Sequence, residues 1–222
     1  MTHGLTGVFG GTFNPIHLGH LRAAEEVAEQ LDLDRVLFVP SAEPPHKETR
    51  DGDPIASAAE RLAWVRAAVA DNPRFAVDAL EIERGGTSYT VETLRGLAER
   101  LAPDEPVFII GCDAFAELGE WREPEAVFAL THFAVMTRPP VTGGRLHDWL
   151  PKCVRDAVEL APDGLSGRHR ETGKWLRSVE ILALDVSASG VRQRLRDGRC
   201  VRYLLPEPVR AAVEKSGVYS GA

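Results

Sequence analysis

No stretch of this chain approaches the run of about 18 apolar residues that a membrane-crossing helix needs, so a membrane span is not expected. The first residues also lack a basic stretch leading into an apolar run, which argues against a secretory signal. Cysteine is scarce: Cys112, Cys153 and Cys200 are odd in number and widely spaced. They suggest neither a disulfide framework nor a metal cluster, and a reducing cytoplasm is the expected compartment. Basic residues are outnumbered, 26 against 33 acidic ones, for a net charge of −7. That balance argues against a general nucleic-acid binder but not against anionic substrates. Screening over about 8 Å at physiological salt lets local donors outweigh a distant acidic surface.

What is present is a 222-residue chain with 44% hydrophobic residues, enough for one sizeable core. Short apolar runs alternate with helical periodicity. Leu5–Phe9 reads as a strand, followed by a helix from about His17 to Leu31 with Leu21, Ala24, Val27, Ala28 and Leu31 at 3–4 spacing. Val36–Val39 is the second strand, and the proline-rich, charged stretch Ser41–Ala56 is a loop. Ala58–Ala70 reads as a helix, Phe75–Val77 as a short strand, and Thr90–Leu101 as a helix that Ser88 or Thr90 could cap. Val107–Ile110 reads as a buried parallel strand, Pro124–Leu130 as a helix and Phe133–Met136 as a strand. Between Val141 and Arg177 the pattern weakens, with one helix expected around Leu150–Leu160. Val179–Leu184 is the last expected strand, and Ser189–Arg196 and Pro206–Glu214 are closing helices. This βα order predicts an α/β, doubly wound, Rossmann-like and mostly parallel sheet with helices on both faces. One domain over residues 1–222 is expected, with a core over 1–186 and a small helical part over 187–222.

The most informative run is Gly10-Gly11-Thr12-Phe13-Asn14-Pro15-Ile16-His17-Leu18-Gly19-His20, directly after the first strand. Two glycines allow a sharp turn and a close backbone approach to an anion. Asn14 is suited to cap the next helix and Pro15 to occupy its first turn. His17 and His20 share one face of a helix. A helix start, the positive end of its dipole and two imidazoles together describe a polyphosphate site. The His pair alone would also suit a metal, but no third ligand is evident. A dinucleotide fingerprint and a P-loop both fail on spacing.

These residues resemble the nucleotidylyltransferase superfamily, whose signature is a glycine-rich turn followed by His-x-Gly-His. More narrowly, the chain resembles the bacterial nicotinate mononucleotide adenylyltransferases. Four further segments carry the likeness: Pro44-Pro45-His46-Lys47, Gly85 to Thr93, Ile109 to Asp113 with Trp121, and Ser187-Ala188-Ser189-Gly190-Val191-Arg192. The last motif of that family usually reads Ser-Ser-Thr-x-Ile-Arg, so Ala188, Ser189 and Val191 depart from it, and Ala188 lacks a hydroxyl. All of these segments lie at or just after expected strand ends, where open α/β sheets bind ligands.

The resemblance implies transfer of an adenylyl group from ATP to nicotinate mononucleotide, with pyrophosphate released. It implies Mg²⁺ held mostly through ATP phosphates and water, without an all-protein cage. The attacking phosphate, with a second pKa of about 6, is already largely ionised, so no general base is needed. Catalysis then requires alignment and charge stabilisation. Gly10, Gly11, Thr12 and Phe13 would line the phosphate turn, and His17 and His20 would bind the triphosphate and stabilise the transition state. Arg192, aided by Ser187 and Ser189, would grip the β- and γ-phosphates. Gly111 and Asp113 would contact adenosine, with Arg138 near the ATP. His46 and Lys47 would face the mononucleotide, Lys47 pairing with its phosphate. Thr87, Ser88, Tyr89 and Trp121 would read the pyridine, with backbone N–H groups near Thr87 on the carboxylate and Trp121 stacking. Plainer roles compete: a solvated helix charge for Arg192, an exposed loop lysine for Lys47, a helix cap for Asp113, a structural role for Arg138, a core or lid ring for Trp121. ATP and nicotinate mononucleotide are the expected partners, with neither nucleic acid nor membrane, and a homo-oligomer is compatible with the resemblance. Two rival readings compete: another acceptor in the same superfamily, such as nicotinamide mononucleotide or pantetheine phosphate, and a non-catalytic nucleotide-binding regulator. The Gly86–Thr90 segment argues against the pantetheine enzyme, and His17, His20 and Arg192 together argue against the regulator.

Overall fold

The computed structural model describes residues 4–44, 54–137, 144–182 and 184–220. In chain order the elements are β1 (Leu5–Gly11), α1 (Leu18–Leu31), β2 (Arg35–Pro40), α2 (Ala58–Val69), β3 (Phe75–Val77), α3 (Leu80–Arg84), α4 (Thr90–Leu101) and β4 (Glu105–Gly111). They continue with α5 (Cys112–Glu117), α6 (Pro124–Leu130), β5 (His132–Thr137), α7 (Leu146–Trp149), β6 (Val158–Leu160), β7 (Ser166–His169), β8 (Trp175–Glu180), α8 (Ala188–Arg196) and α9 (Glu207–Ser216). The strands hydrogen-bond in the order β3-β2-β1-β4-β5-β8-β7-β6. This is the mostly parallel, Rossmann-like sheet that the alternating pattern predicts. Among the described residues, no helix is long and apolar enough to cross a membrane.

The chain divides into two compact units that interleave along the sequence. The first contains Met1–Gly10, Ala23–Val36 and Tyr89–Leu182; the second contains Gly11–Arg22, Leu37–Ser88 and Ala183–Ala222.

In the first unit β1 pairs in parallel with β4, β4 with β5, and β5 with β8. Strands buried on both faces must be apolar along their whole length, and Pro106–Ile110 are all buried. Phe108, Phe115, Phe128 and Phe133 fill the core beside them, with ring centroids 4.6–6.1 Å apart. Beyond β8 the sheet turns antiparallel, β8 pairing with β7 and β7 with β6. Where β4, β5 and β8 begin, Glu105 Oε2 accepts from His132 Nε2 at 2.6 Å, and Trp175 donates its backbone N–H to His132 Nδ1 at 2.9 Å. Lys174 adds an ion pair to Glu105 at 2.9 Å.

In the second unit α2 starts with a reciprocal cap. Ser57 Oγ accepts from the Glu60 N–H at 3.2 Å, while Glu60 Oε2 accepts from the Ser57 N–H at 3.0 Å. Helices α2 and α9 pack together, and Trp64 of α2 lies near Tyr219, with ring centroids 6.1 Å apart.

Five expectations need correcting. The helix expected around Leu150–Leu160 is a 3₁₀ turn over Lys152–Ala157 followed by β6. The last strand lies at Trp175–Glu180, not Val179–Leu184, and leaves Leu182 and Leu184 exposed. Neither Ser88 nor Thr90 caps α4, whose N-cap is Tyr89 without a side-chain bond. Asn14 does not cap α1 and Pro15 is not in its first turn, because the helix begins at Leu18 and the Asn14 side chain is bonded elsewhere.

Candidate active site

The turn after β1 belongs to the second unit from Gly11 onward. Phe13 sits at φ 48°, a left-handed conformation uncommon for a non-glycine residue, and its ring is buried. That ring meets His20 edge-on, centroids 5.2 Å apart, and tilts against Phe38 at 5.9 Å. The Phe13 side chain is therefore core, and only its backbone can meet a ligand.

His17 immediately precedes α1 and is 6% exposed, whereas His20 lies in the first turn and is partly exposed. Their rings stack with centroids 3.6 Å apart and planes inclined by 23°. His20 Nδ1 accepts a hydrogen bond from the His17 backbone N–H at 3.2 Å. An imidazole nitrogen that accepts carries no proton, so this contact places the proton of neutral His20 on Nε2. The His17 carbonyl in turn accepts from the His20 N–H at 3.0 Å, and the Leu18 N–H is taken by the Leu204 carbonyl. Gly19 explains the glycine inside His-x-Gly-His. A Cβ there would lie 3.0 Å from His17 Nδ1 and 3.3 Å from the Val186 carbonyl, so a larger residue would push the imidazole away.

Asn14 is the knot behind this turn. Its Oδ1 accepts from the Ala56 N–H at 3.0 Å and from the Tyr219 hydroxyl, and its Nδ2 donates to the Pro54 carbonyl. Burial pushes the Tyr219 phenol above its ordinary range, which keeps it a neutral O–H donor. Arg192 of α8 is 4% exposed, and its Nη1 donates to the Asn14 carbonyl at 2.9 Å. Arg192 thus reaches the motif that His17 and His20 belong to. Ser187 caps α8, its Oγ accepting from the Gly190 N–H at 3.1 Å and lying 3.2 Å from Ser189 Oγ; both serines are exposed. Ser88 is buried, its Oγ accepting from the Ala42 N–H and its own N–H donating to the Glu43 carbonyl. With the Glu43–Thr87 bridge, Thr87 and Ser88 are fastened to the chain that follows β2.

Gly10, Tyr89, Gly111, Asp113 and Trp121 lie in the first unit. Gly10 is exposed near the end of β1, and Gly111 ends β4, the parallel neighbour of β1. The Asp113 carboxylate folds back over Gly111, where a Cβ would lie 2.5 Å from Oδ1. Trp121 stands edge-to-face with Phe108 at 6.5 Å and is partly exposed; Arg122 covers the Tyr89 ring at 4.7 Å. His46, Lys47 and Arg138 lie outside the described residues.

Two residues of the second unit escaped the sequence reading. Arg61 did leave a signal: it sits at i of an i, i+3, i+4, i+7 apolar set with Trp64, Val65 and Ala68, a place where a cation must be buried and bonded. Tyr219 left none beyond its aromatic ring.

Residues 8–194 match the cytidylyltransferase-like family model. A protein from Geotalea daltonii named probable nicotinate-nucleotide adenylyltransferase is 42% identical over 216 residues, covering 96% of this chain and 97% of its own. A protein of the same name from Geobacter sulfurreducens is 42% identical over 217 residues, covering 97% and 98%. The chain belongs to the nicotinate-nucleotide adenylyltransferase family. Among solved structures, a Plasmodium falciparum nicotinic acid mononucleotide adenylyltransferase complexed with NaAD superposes with a TM-score of 0.69 over 98% of both chains. Its 14% identity makes that a likeness of fold. The turn after β1 and the stacked imidazoles lie within the matched residues 8–194.

Proposed function

We infer that this chain transfers the adenylyl group of ATP to nicotinate mononucleotide, forming nicotinate adenine dinucleotide and pyrophosphate in NAD biosynthesis. The observation that carries the reading is the His17–His20 stack at a helix start directly behind a strand-end turn. The nucleophile is a phosphate that is already largely anionic, so the chain has no proton to remove from it. Its work is to hold two anions in line and stabilise charge moving onto the leaving pyrophosphate.

His20 Nε2–H points its proton away from the contact that fixes Nδ1, and serves as donor to the triphosphate. His17, rigid and mostly buried, holds the stack and presents the second imidazole. Arg192, Ser187 and Ser189 are assigned to the outer phosphates. The backbone of Gly10, Gly11, Thr12 and Phe13 takes the phosphate turn, and Gly111 and Asp113 take adenosine. Thr87, Ser88, Tyr89 and Trp121 are assigned to the pyridine; because the Ser88 N–H is committed to Glu43, its neighbours supply the carboxylate donors. His46 and Lys47 are assigned to the mononucleotide and Arg138 to ATP. Mg²⁺ enters with ATP, held by phosphate oxygens and water. We assign all of residues 1–222 to one catalytic domain acting in the cytoplasm.

A coupled assay of pyrophosphate release, run with ATP and nicotinate mononucleotide, nicotinamide mononucleotide or pantetheine phosphate, tests the reading. Release with nicotinate mononucleotide ahead of the others is expected. Release only with another acceptor would overturn it.

A further inference from the structure

Arg61 is the largest of the fully buried side chains among the described residues, 1% exposed, and lies on α2, outside every signature motif in the sequence. Its guanidinium is consumed by three backbone carbonyls: Nε donates to Ala56 at 3.0 Å, Nη1 to Thr12 at 2.8 Å and Nη2 to Ala42 at 2.8 Å. Burying a cation this deeply is costly unless its donors are satisfied, and desolvation lowers the Arg61 pKa. Helix capping and core filling do not require an arginine there. The three acceptors suggest what does.

Thr12 is part of the phosphate turn. The Thr12–Phe13 peptide is trans, so its C=O and N–H point in opposite directions across one plane. Arg61 holds the carbonyl toward the buried side, and the Phe13 N–H must then face the other way. We propose that Arg61 is a positioning residue for adenylyl transfer, aiming the Phe13 N–H at the triphosphate by fixing the Thr12 carbonyl. The role rests on the reaction assigned above. Lysine could not substitute. Its ammonium is a compact point charge, whereas the planar fork reaches three carbonyls at once.

The test compares wild type with Arg61→Lys, and with Arg61→Met as a charge-free control, by calorimetric titration with ATP and with adenosine well below each protein's Tm. Loss of an aimed donor should weaken ATP binding about tenfold or more while adenosine binding stays within about twofold. It should also lower kcat for pyrophosphate release. A purely structural arginine would lower Tm and leave the ratio of the two affinities unchanged in the folded protein, which would overturn the proposal. Should neither variant fold, wild type decides: ATP should shift the Phe13 amide proton resonance downfield, and an unmoved Phe13 amide would overturn the role. Wild type that releases no pyrophosphate would defeat the reaction itself and this role with it, whereas active wild type with an unaffected Arg61→Lys would defeat the role alone.

Discussion

His20 Nδ1 accepts the backbone N–H of His17, so one imidazole both closes the start of α1 and aims its other nitrogen outward. A helix start leaves N–H groups in want of acceptors, and His20 supplies one from the position where Glu or Gln usually does. The two duties can be separated by substitution.

His20→Ala removes both. Turnover should fall by about 10²–10³, the usual loss for a transition-state donor of roughly 2.7–4 kcal/mol. Stability should fall by about 0.5–2 kcal/mol for the lost cap. His20→Gln retains an acceptor for the His17 N–H, so it should recover most of the stability and little of the turnover. Steady-state kinetics beside urea unfolding checks both numbers, and unchanged turnover in His20→Ala removes His20 from the chemistry.

Substrate choice is the second expectation. A carboxylate accepts stronger hydrogen bonds from backbone donors than a carboxamide does, and the donors near Thr87 are those assigned above to the pyridine substituent. Nicotinate mononucleotide should therefore give the higher kcat/KM. Trp121→Ala should raise KM for that substrate more than it lowers kcat. Equal kcat/KM for the two mononucleotides would show that Thr87 and Trp121 do not read the base.

The Asn14 knot makes a thermodynamic prediction. Tyr219→Phe deletes one hydrogen bond and should cost about 0.5–1.5 kcal/mol. Asn14→Ala leaves the Ala56 N–H, the Pro54 carbonyl and the Tyr219 hydroxyl without their partner, so it should cost more, about 1–3 kcal/mol. Because the two side chains touch, a double-mutant cycle should show a coupling of about 0.5 kcal/mol or more. Additive effects would show that the contact contributes nothing.

Acid should destabilise the first unit through Glu105 and His132. Hydrogen bonds from Lys174 and His132 hold the Glu105 carboxyl below its ordinary range. A depressed carboxylate contributes stability above its unfolded pKa and loses it as pH falls through the folded one. Burial lowers the His132 pKa as well, so its neutral form is favoured and protonation on acidification opposes folding. Both signs agree. Urea unfolding from pH 7 to pH 3 should show stability falling, with a smaller drop in Glu105→Gln; an identical drop would clear Glu105 of the effect.

The sequence was most readable where chemistry is local. Pro124–Leu130 has proline at its first helical position, and Thr90–Leu101 a clean apolar stripe; both coincide with α6 and α4. The glycine turn with His17 and His20 stood out because its elements are adjacent in the chain. By contrast, β7 is four residues long and contains Gly167 and Arg168, so neither alternation nor propensity marks it as a strand. For β8, the apolar run Ile181–Leu184 drew the expected strand too far along, although Trp175–Glu180 carries the pairing with β5. Asn14 had the composition of a cap and was spent on Ala56, Pro54 and Tyr219 instead. Partners 40 to 205 residues distant leave no local trace. Tyr219 is legible only once the chain is folded, and Arg61 shows in the sequence only as a cation inside an apolar helical stripe.

The outermost strands of the sheet, β3 and β6, are three residues each. A long bare margin would offer a template on which another copy could add its own strand and seed fibrils. Such short ends offer little to grow on, so concentrating the protein should not by itself recruit copies through the sheet.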